Sequence, residues 1–236
     1  MMPIAELEYE AHAASPLRKA IAARMSAATR EIPHFRLSCR LEMDAALEAR
    51  RRLQAQRSSP HLTINDVVVK LVAQAIADVP VVNCQWVDGE IRQFRNADIS
   101  IVTAVPGGLS APILKNAGCK SIWEISTEIE DLIGRAKSGA LRVEELVGGS
   151  FGLSNLGASG VEQFDAIINP PQCAIMAVGS LVRALLPSTN GEVRLATMAC
   201  FTLSLDHRAL DGQTGALFMS ALRRRVEIPD LEFQTA

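Results

Sequence analysis

The spacing of the apolar residues changes repeatedly along the chain between the period of a helix and the period of a strand. Leu17, Ile21 and Met25 recur every four residues, as on one face of a helix, until Pro33 ends the pattern. Residues 35–42 then alternate strictly between apolar and polar side chains, which is typical of a half-buried strand. Long strands mixed with scattered helices predict an α/β fold, a two-layer sandwich around one large mixed β-sheet. The other predicted helices cover 44–56, 63–79, 121–138 and 212–226, and the other long strands cover 99–105, 150–156, 174–182 and 193–205.

Local signals mark where several of these elements begin. Ser15, directly before a proline, is a typical N-terminal cap, so the first helix is predicted to begin there. Asp44 is expected to cap the second helix, and Asp88-Gly89 is expected to form a tight hairpin turn. Because residues 1–14 show no periodicity, we expect a tail or linker remnant there, followed by one domain over residues 15–236.

The composition argues against several classes of partner. The 236 residues are 48% hydrophobic, which is enough to bury a large core, and the 24 basic and 26 acidic residues are spread along the chain. Because the net charge is −2 and no basic stripe is present, we expect neither nucleic acid nor a membrane surface as a partner. No apolar run approaches the roughly 20 residues needed to span a bilayer, and residues 1–14 lack the apolar core of a signal peptide. A cytoplasmic protein that acts on a small molecule or another protein is the simplest interpretation.

The cysteines are odd in number and widely spaced, and none belongs to a Cys-x-x-Cys pair. Their mostly apolar surroundings predict reduced core residues rather than a disulfide framework or a structural zinc site. A nucleophilic cysteine is the alternative, and Cys173 is the candidate for it. The five cysteines are Cys39, Cys84, Cys119, Cys173 and Cys200.

One histidine is surrounded by charged residues at the end of a predicted strand. His207 lies in Asp206-His207-Arg208, between the last strand and the last helix, and Asp211 follows four residues later. Polar neighbours can fix the tautomer and the charge of an imidazole, as a general base that works near neutral pH requires. The alternative is a surface turn whose charged side chains are simply solvated.

Glycines crowd the end of another predicted strand around Ser154. The spacing Gly152-x-Ser154-x-x-Gly157 differs by one residue from the Gly-x-Ser-x-Gly nucleophile elbow, and no Lys-Ser/Thr pair follows the glycines. A serine hydrolase and a phosphate-binding loop are therefore disfavoured. The segment either presents Ser154 to a cleft or supplies glycines for a bulge or for close strand packing.

These two segments together resemble the signature motifs of one protein family. That family is the catalytic core of the dihydrolipoyl acyltransferases of 2-oxo acid dehydrogenase complexes, which shares its fold with chloramphenicol acetyltransferase. Further similar segments, in the family's order, lie at 21–25, 32–35, 65–66, 106–109 and 168–172. The resemblance therefore identifies residues 15–236 as an acyltransferase catalytic domain. The two signatures are Gly149-Ser150-Phe151-x-x-Ser154-Asn155-Leu156-Gly157 and Asp206-His207-Arg208-x-x-Asp211-Gly212.

The resemblance implies acyl transfer between coenzyme A and a dihydrolipoyl thiol. It makes His207 the general base, Ser154 the hydrogen-bond donor to the oxyanion, and Asp211 a residue that orients the histidine loop. Arg50 and Thr63 match, more loosely, family positions that contact coenzyme A. No metal is required. Because full-length members carry lipoyl and peripheral-subunit-binding domains ahead of the core, we expect either a core fragment or a protein served by a lipoyl group on another chain.

The resemblance also implies a homotrimer in which each active site lies between two subunits. In the family, trimers join into larger cages partly through an apolar C-terminal segment that inserts into a neighbouring trimer. Within residues 229–236, only Leu231 and Phe233 are large and apolar. Each such side chain contributes about 1.5–3 kcal/mol when buried, so we expect cage formation to be weakened.

Two other functions remain open. Gly152 replaces the family's usual Thr or Ser, and Gln213 replaces its common Ala, but neither change removes a catalytic group. The first alternative is a stand-alone coenzyme A-dependent acyltransferase or condensing enzyme that uses a different acceptor. The second is a non-catalytic scaffold subunit, and the intact His207 and Ser154 count against it. The identity of the acyl group does not follow from the sequence.

Overall fold

The computed structural model describes residues 8–188 and 191–233, and within them the chain forms ten strands and five α-helices. Residues 8–14, part of the predicted tail, are exposed and are neither helical nor extended into a strand. The helices are α1 (Pro16–Glu31), α2 (Asp44–Gln56), α3 (Ile64–Asp78), α4 (Ile122–Ser138) and α5 (Gly212–Glu227). The strands are β1 (His34–Glu42), β2 (Cys84–Val87), β3 (Glu90–Gln93), β4 (Ile99–Val105), β5 (Gly108–Ser110), β6 (Ile113–Leu114), β7 (Phe151–Asn155), β8 (Ala174–Val178), β9 (Val182–Pro187) and β10 (Val193–Asp206).

Eight of the strands form one mixed sheet. Its order is β1-β10-β8-β7-β4-β5, with β6 paired to β4 and β9 paired to β10. The strands β4, β7 and β8 are parallel, and the other pairs in the sheet are antiparallel. The strands β2 and β3 form a separate hairpin around Asp88-Gly89, as predicted. A large mixed sheet with helices packed on it confirms the predicted α/β sandwich.

The two faces of the sheet pack against different elements. Leu37 of β1 and Leu203 of β10 are register partners on one face, within the main core that also includes α2, α3, α4 and α5. Ile175 and Ala177 of β8 point to the opposite face, because side chains alternate along a strand, and they pack with Ala28 of α1. Four helices therefore cover one face, and α1 covers part of the other.

The predicted helix starts mostly agree with the structure, but the prediction that Asp44 caps α2 was wrong. The Ser15 hydroxyl accepts a hydrogen bond from the Arg18 N–H at 3.2 Å, and capping boxes begin both α3 and α4. Asp44 is instead the first residue of α2, and its carboxylate accepts a hydrogen bond from the Thr197 N–H of β10 at 3.0 Å. The carboxylate that the local sequence pattern predicted to cap α2 thus binds a distant strand instead.

The strand predicted over 174–182 is two strands in the structure, so this prediction was also wrong. The strand β8 ends at Val178, and β9 begins at Val182 and pairs with β10. Between them, a Cβ added to Gly179 would lie 1.9 Å from the carbonyl oxygen of Glu162. The chain can pass this point only because Gly179 has no side chain.

Candidate active site

An open cleft of about 1240 Å³ lies at the carboxyl ends of the parallel strands β4, β7 and β8. The start of α3 and one side of α4 form its other walls. This edge is where ligands usually bind in sheets with parallel strands. Ile101, Ile129 and Val178 contribute to an extensive apolar lining, whereas Thr63 and Lys137 contribute a hydroxyl group and a cation.

Ser154 lies near the end of β7, next to residues that line this cleft. In the sheet it lies between Val102 of β4 and Ala177 of β8, and Val102 lines the cleft. The serine is 9% exposed, so its hydroxyl is largely shielded from bulk water. The next residue, Asn155, also lines the cleft, and its amide nitrogen donates to Asn65 Oδ1 at 3.3 Å. The end of β7 is thereby joined to the first turn of α3.

Thr63 and Arg50 both lie near the start of α3 but have different surroundings. Thr63 lines the cleft and is the N-cap of α3, where its hydroxyl accepts a hydrogen bond from the Asp66 N–H at 3.2 Å. Arg50 of α2 donates from Nη1 to the carbonyl of Leu62 at 3.0 Å. Its Nε is buried and has no hydrogen-bond partner among the described residues. Arg50 therefore supports the segment that leads into α3, whereas Thr63 belongs to the cleft.

His207 directly follows β10 and presents an exposed imidazole. Its backbone N–H donates to the carbonyl of Pro33 at 3.0 Å, and its ring lies edge-on to Phe35 with the centroids 5.4 Å apart. The residue before His207, Asp206, is fully buried and forms an ion pair with Arg208 at 2.7 Å. Because its backbone is fixed and its imidazole is exposed, His207 is suited to accept a proton from a bound thiol.

Asp211 acts as the N-cap of α5. Its carboxylate accepts a hydrogen bond from the Thr214 N–H at 2.8 Å. This hydrogen bond lowers the pKa of Asp211, and the nearby His207 acts in the same direction. An ionised cap fixes the start of α5 and therefore the far end of the loop that carries His207.

The single chain does not bring His207 and Ser154 together. Ser154, Ala177 and Thr202 are aligned across β7, β8 and β10 in the sheet register. His207 lies five residues beyond Thr202, and β10 runs antiparallel to β8, so the histidine is at the opposite edge of the sheet from the cleft. Strand spacing and rise per residue put the two Cα atoms about 19 Å apart.

The structure disfavours Cys173 as a nucleophile. Cys84 and Cys173 are buried, Cys119 is exposed, and all five cysteines are unpaired. A hydrogen bond with Cys84, together with burial, raises the pKa of the Cys173 thiol, which disfavours the reactive thiolate. Among residues 8–188 and 191–233 there is no group of three or more metal-ligating side chains placed to hold an ion. No described helix is long and apolar enough to cross a membrane.

Comparison with known proteins assigns the chain to a family. The profile of the 2-oxoacid dehydrogenases acyltransferase (catalytic domain) matches residues 6–233. The chain belongs to this family. Among its relatives, the dihydrolipoyllysine-residue acetyltransferase component of the pyruvate dehydrogenase complex of Rickettsia bellii is 39% identical over 227 residues, which is 95% of this chain. That alignment includes 54% of the relative, so the chain spans about half the length of the curated relatives it matches.

Solved structures place the fold within the same family. A crystal structure of a probable dihydrolipoamide acetyltransferase from Listeria monocytogenes matches with a TM-score of 0.85 and 32% identity, over 94% of this chain and 95% of that one. A chloramphenicol acetyltransferase matches with a TM-score of 0.51 and 13% identity, over 82% of this chain and 86% of that one. The expected relationship to the chloramphenicol acetyltransferase fold is therefore confirmed.

Sequence reasoning did not single out His61 and Lys137, which line the cleft. Asn155, which links the cleft to α3, was named only as part of a signature motif. Lys137 lies in the last turn of an amphipathic helix, where a solvated lysine is the ordinary expectation, so no local signal marks it. The family resemblance, through Thr63 and the Asn65-Asp66 pair, was the available indication that the start of α3 borders the site.

Proposed function

We propose that this chain transfers an acyl group between coenzyme A and a dihydrolipoyl thiol, with His207 as the general base. Ser154 stabilises the oxyanion, and Asp211 fixes the loop that carries the base. The observation that carries the proposal is an exposed imidazole and a serine beside the cleft-lining Asn155, at opposite edges of one sheet, in a member of an acyltransferase family. The lipoyl group is carried by another domain or another chain.

The reaction requires a base and a hydrogen-bond donor. A thiol has a pKa of about 8.5, so the neutral imidazole of His207 can remove its proton as the sulfur attacks the thioester carbonyl carbon. The carbonyl electron pair moves to the oxygen, and the Ser154 hydroxyl donates a hydrogen bond to the resulting negative charge. When the carbonyl re-forms, the bond to the leaving sulfur breaks and the imidazolium protonates that sulfur. No metal takes part in this route.

A second copy of the chain is needed to complete the proposed site. His207 and Ser154 of one chain are about 19 Å apart by strand geometry, which is too far for both to act on one thioester. In a closed ring of three chains, each chain can place its His207 at the Ser154 of one neighbour. We therefore propose a homotrimer with three active sites between subunits.

The cleft is the proposed binding site for acyl-coenzyme A. The Lys137 cation and the start of α3 suit the anionic part of a nucleotide, and the apolar lining suits its alkyl portion. Thr63 is the proposed direct contact from the start of α3. The role of Arg50 is indirect, because its guanidinium holds the Leu62 carbonyl immediately before Thr63.

Two inactive variants combined in one trimer test this arrangement. His207→Ala should lower transfer from acetyl-coenzyme A to free dihydrolipoamide by about 100-fold to 10,000-fold, the range for loss of a general base. Ser154→Ala should also lower the rate of this transfer. Co-expression with different tags and purification on both tags yields mixed trimers. In every mixed ring one of the three sites has both residues, so about one third of wild-type activity should return.

If both residues act within one chain, activity will not return in folded mixed trimers. Such a lack of activity would reject the active site shared between subunits. Near-normal turnover by folded His207→Ala would reject the general base itself. A panel of thiol, hydroxyl and carbon acceptors distinguishes lipoyl transfer from a stand-alone acyltransferase with another acceptor. No transfer to any acceptor by the wild-type trimer would favour the scaffold alternative.

A further inference from the structure

The turn that carries His207 is held by a buried ion pair. The carboxylate of Asp206 is fully buried, and it accepts hydrogen bonds from Arg208 Nε at 3.0 Å and from Arg208 Nη2 at 2.7 Å. The same carboxylate also accepts the backbone N–H of Arg208 at 3.0 Å. Because Asp206 and Arg208 flank His207 directly, this two-pronged contact closes the turn around the histidine.

An aromatic ring from a different part of the chain packs on this guanidinium. Trp86, in the β2–β3 hairpin, has its ring centroid 5.1 Å from the central carbon of the Arg208 guanidinium. The hairpin is itself anchored, since the Trp86 N–H donates to the Pro171 carbonyl at 2.9 Å and Gln85 bridges to Gln172. The Arg208 side chain is 33% exposed even with this ring in place, so loss of the ring would open more of the guanidinium to water.

We propose that Trp86 is a positioning residue for His207 and that it acts through Arg208. The proposal rests on the proposed role of His207 as general base. An arginine that pairs with a buried carboxylate on one side and an aromatic face on the other has little freedom to exchange its partners for water. Without the ring, the guanidinium becomes solvated, the turn from Asp206 to Arg208 loosens, and the imidazole no longer occupies one fixed position.

The test compares side chains of similar apolarity with and without an aromatic face. Trp86→Leu should lower kcat by about 10-fold to 100-fold, the range for misplacing a catalytic group by roughly 1 Å, and leave KM for acyl-coenzyme A nearly unchanged. Trp86→Phe, which keeps a ring, should retain most of the turnover. Val87→Ala is the matched control, because Val87 is the next residue in β2 and points to the other side of the hairpin.

A second set of variants tests whether Trp86 acts through Arg208. Arg208→Lys keeps the positive charge but loses the two-pronged contact, so it should lower kcat in the same way without raising KM. If Trp86 acts through Arg208, the double variant Trp86→Leu/Arg208→Lys loses about as much as the more affected single variant. The thermal unfolding of each trimer, measured alongside, shows whether a loss of turnover reflects a loss of fold.

Wild-type kcat in Trp86→Leu or in Arg208→Lys overturns the proposal, and so does a double variant whose loss equals the product of the two single losses. A rise in KM with unchanged kcat also overturns it, because it would make Trp86 a substrate contact. These outcomes leave His207 untouched: if His207→Ala is inactive while Trp86→Leu is normal, only the positioning role fails. Activity in folded His207→Ala would instead reject the proposed function.

Discussion

At the scale of single residues, the sheet fixes the position of Ser154, which the proposed mechanism uses as a hydrogen-bond donor and not as a nucleophile. Its backbone lies within the parallel part of the sheet, between Val102 and Ala177, and its side chain is 9% exposed. Neighbouring strands therefore fix its position before any substrate arrives. This arrangement costs little reorganisation during the reaction, which is the property that makes an oxyanion donor effective.

Removing this hydroxyl should affect the transition state more than the ground state. We expect Ser154→Ala to lower kcat by about 100-fold to 1,000-fold and to leave KM nearly unchanged, because the charge on the oxygen develops only during the reaction. Steady-state kinetics over a range of acyl-coenzyme A concentrations provides both constants. Ser159→Ala, at an exposed serine just beyond β7, is the control. An effect on KM alone would make Ser154 a binding residue.

At the scale of elements, a group of charged side chains joins α4 to the segment that leads to β7. Glu145 accepts hydrogen bonds from Arg135 Nη1 at 2.5 Å and from Arg142 Nη2 at 3.0 Å, and Asp131 pairs with the same Arg135. The hydrogen bond from Arg135, followed by those from Arg142, holds the pKa of Glu145 well below its usual range. The ionised carboxylate thus ties the end of α4 to the 3-10 turn Val143–Glu145.

This lowered pKa predicts a pH-dependent contribution to stability. A carboxyl group whose pKa is lower in the folded state stabilises the protein above its unfolded pKa, about 4.3 for Glu, and loses that contribution as the pH falls towards the folded value. Glu145→Gln should therefore lower the unfolding temperature at pH 7, and the difference from wild type should shrink below about pH 4. Thermal unfolding followed by circular dichroism measures both, with the exposed Glu144→Gln as control. An unchanged difference at acid pH would contradict this account.

At the scale of the whole molecule, the C-terminal segment folds back onto its own chain. Leu231 is buried at 3% exposure, and Gln74 of α3 donates to the carbonyl of Asp230 at 2.6 Å. Arg225 lies over the ring of Phe233, which is 43% exposed. Of the two large apolar residues in this segment, only Phe233 therefore retains surface that another trimer could bury. Residues 234–236 lie outside the described part of the chain.

The trimer should consequently be the largest stable assembly. One half-exposed phenylalanine offers less than the roughly 1.5–3 kcal/mol of a fully buried side chain, and association first has to offset the loss of rotational and translational freedom. Light scattering coupled to size exclusion should give the mass of three chains, since each proposed active site uses residues of two neighbouring subunits. A cage of several trimers would contradict the prediction that the trimer is the largest assembly. An active monomer would contradict both this prediction and the shared active site.

The sequence by itself determined the features that depend on neighbouring residues. The caps at Ser15 and Ser121 and the end of α4 at Gly139, which adopts a φ of 71°, follow from side chains and backbone conformations within one turn. The strict alternation in β1 likewise specified its two faces. The two signature motifs were sufficient to predict the family, and the profile match over residues 6–233 confirmed it.

Only the tertiary structure decided what depends on contacts between distant residues. Asp44 engages Thr197 rather than its own helix, and the close approach of Glu162 to Gly179 leaves no room for a side chain between β8 and β9. The same holds for the site: strand order puts His207 and the cleft at opposite edges of the sheet, and the contact of Trp86 with Arg208 joins two segments 122 positions apart (208 − 86). Periodicity and capping report the surroundings of a residue within about one turn, whereas strand order and register arise from burial summed over the whole core.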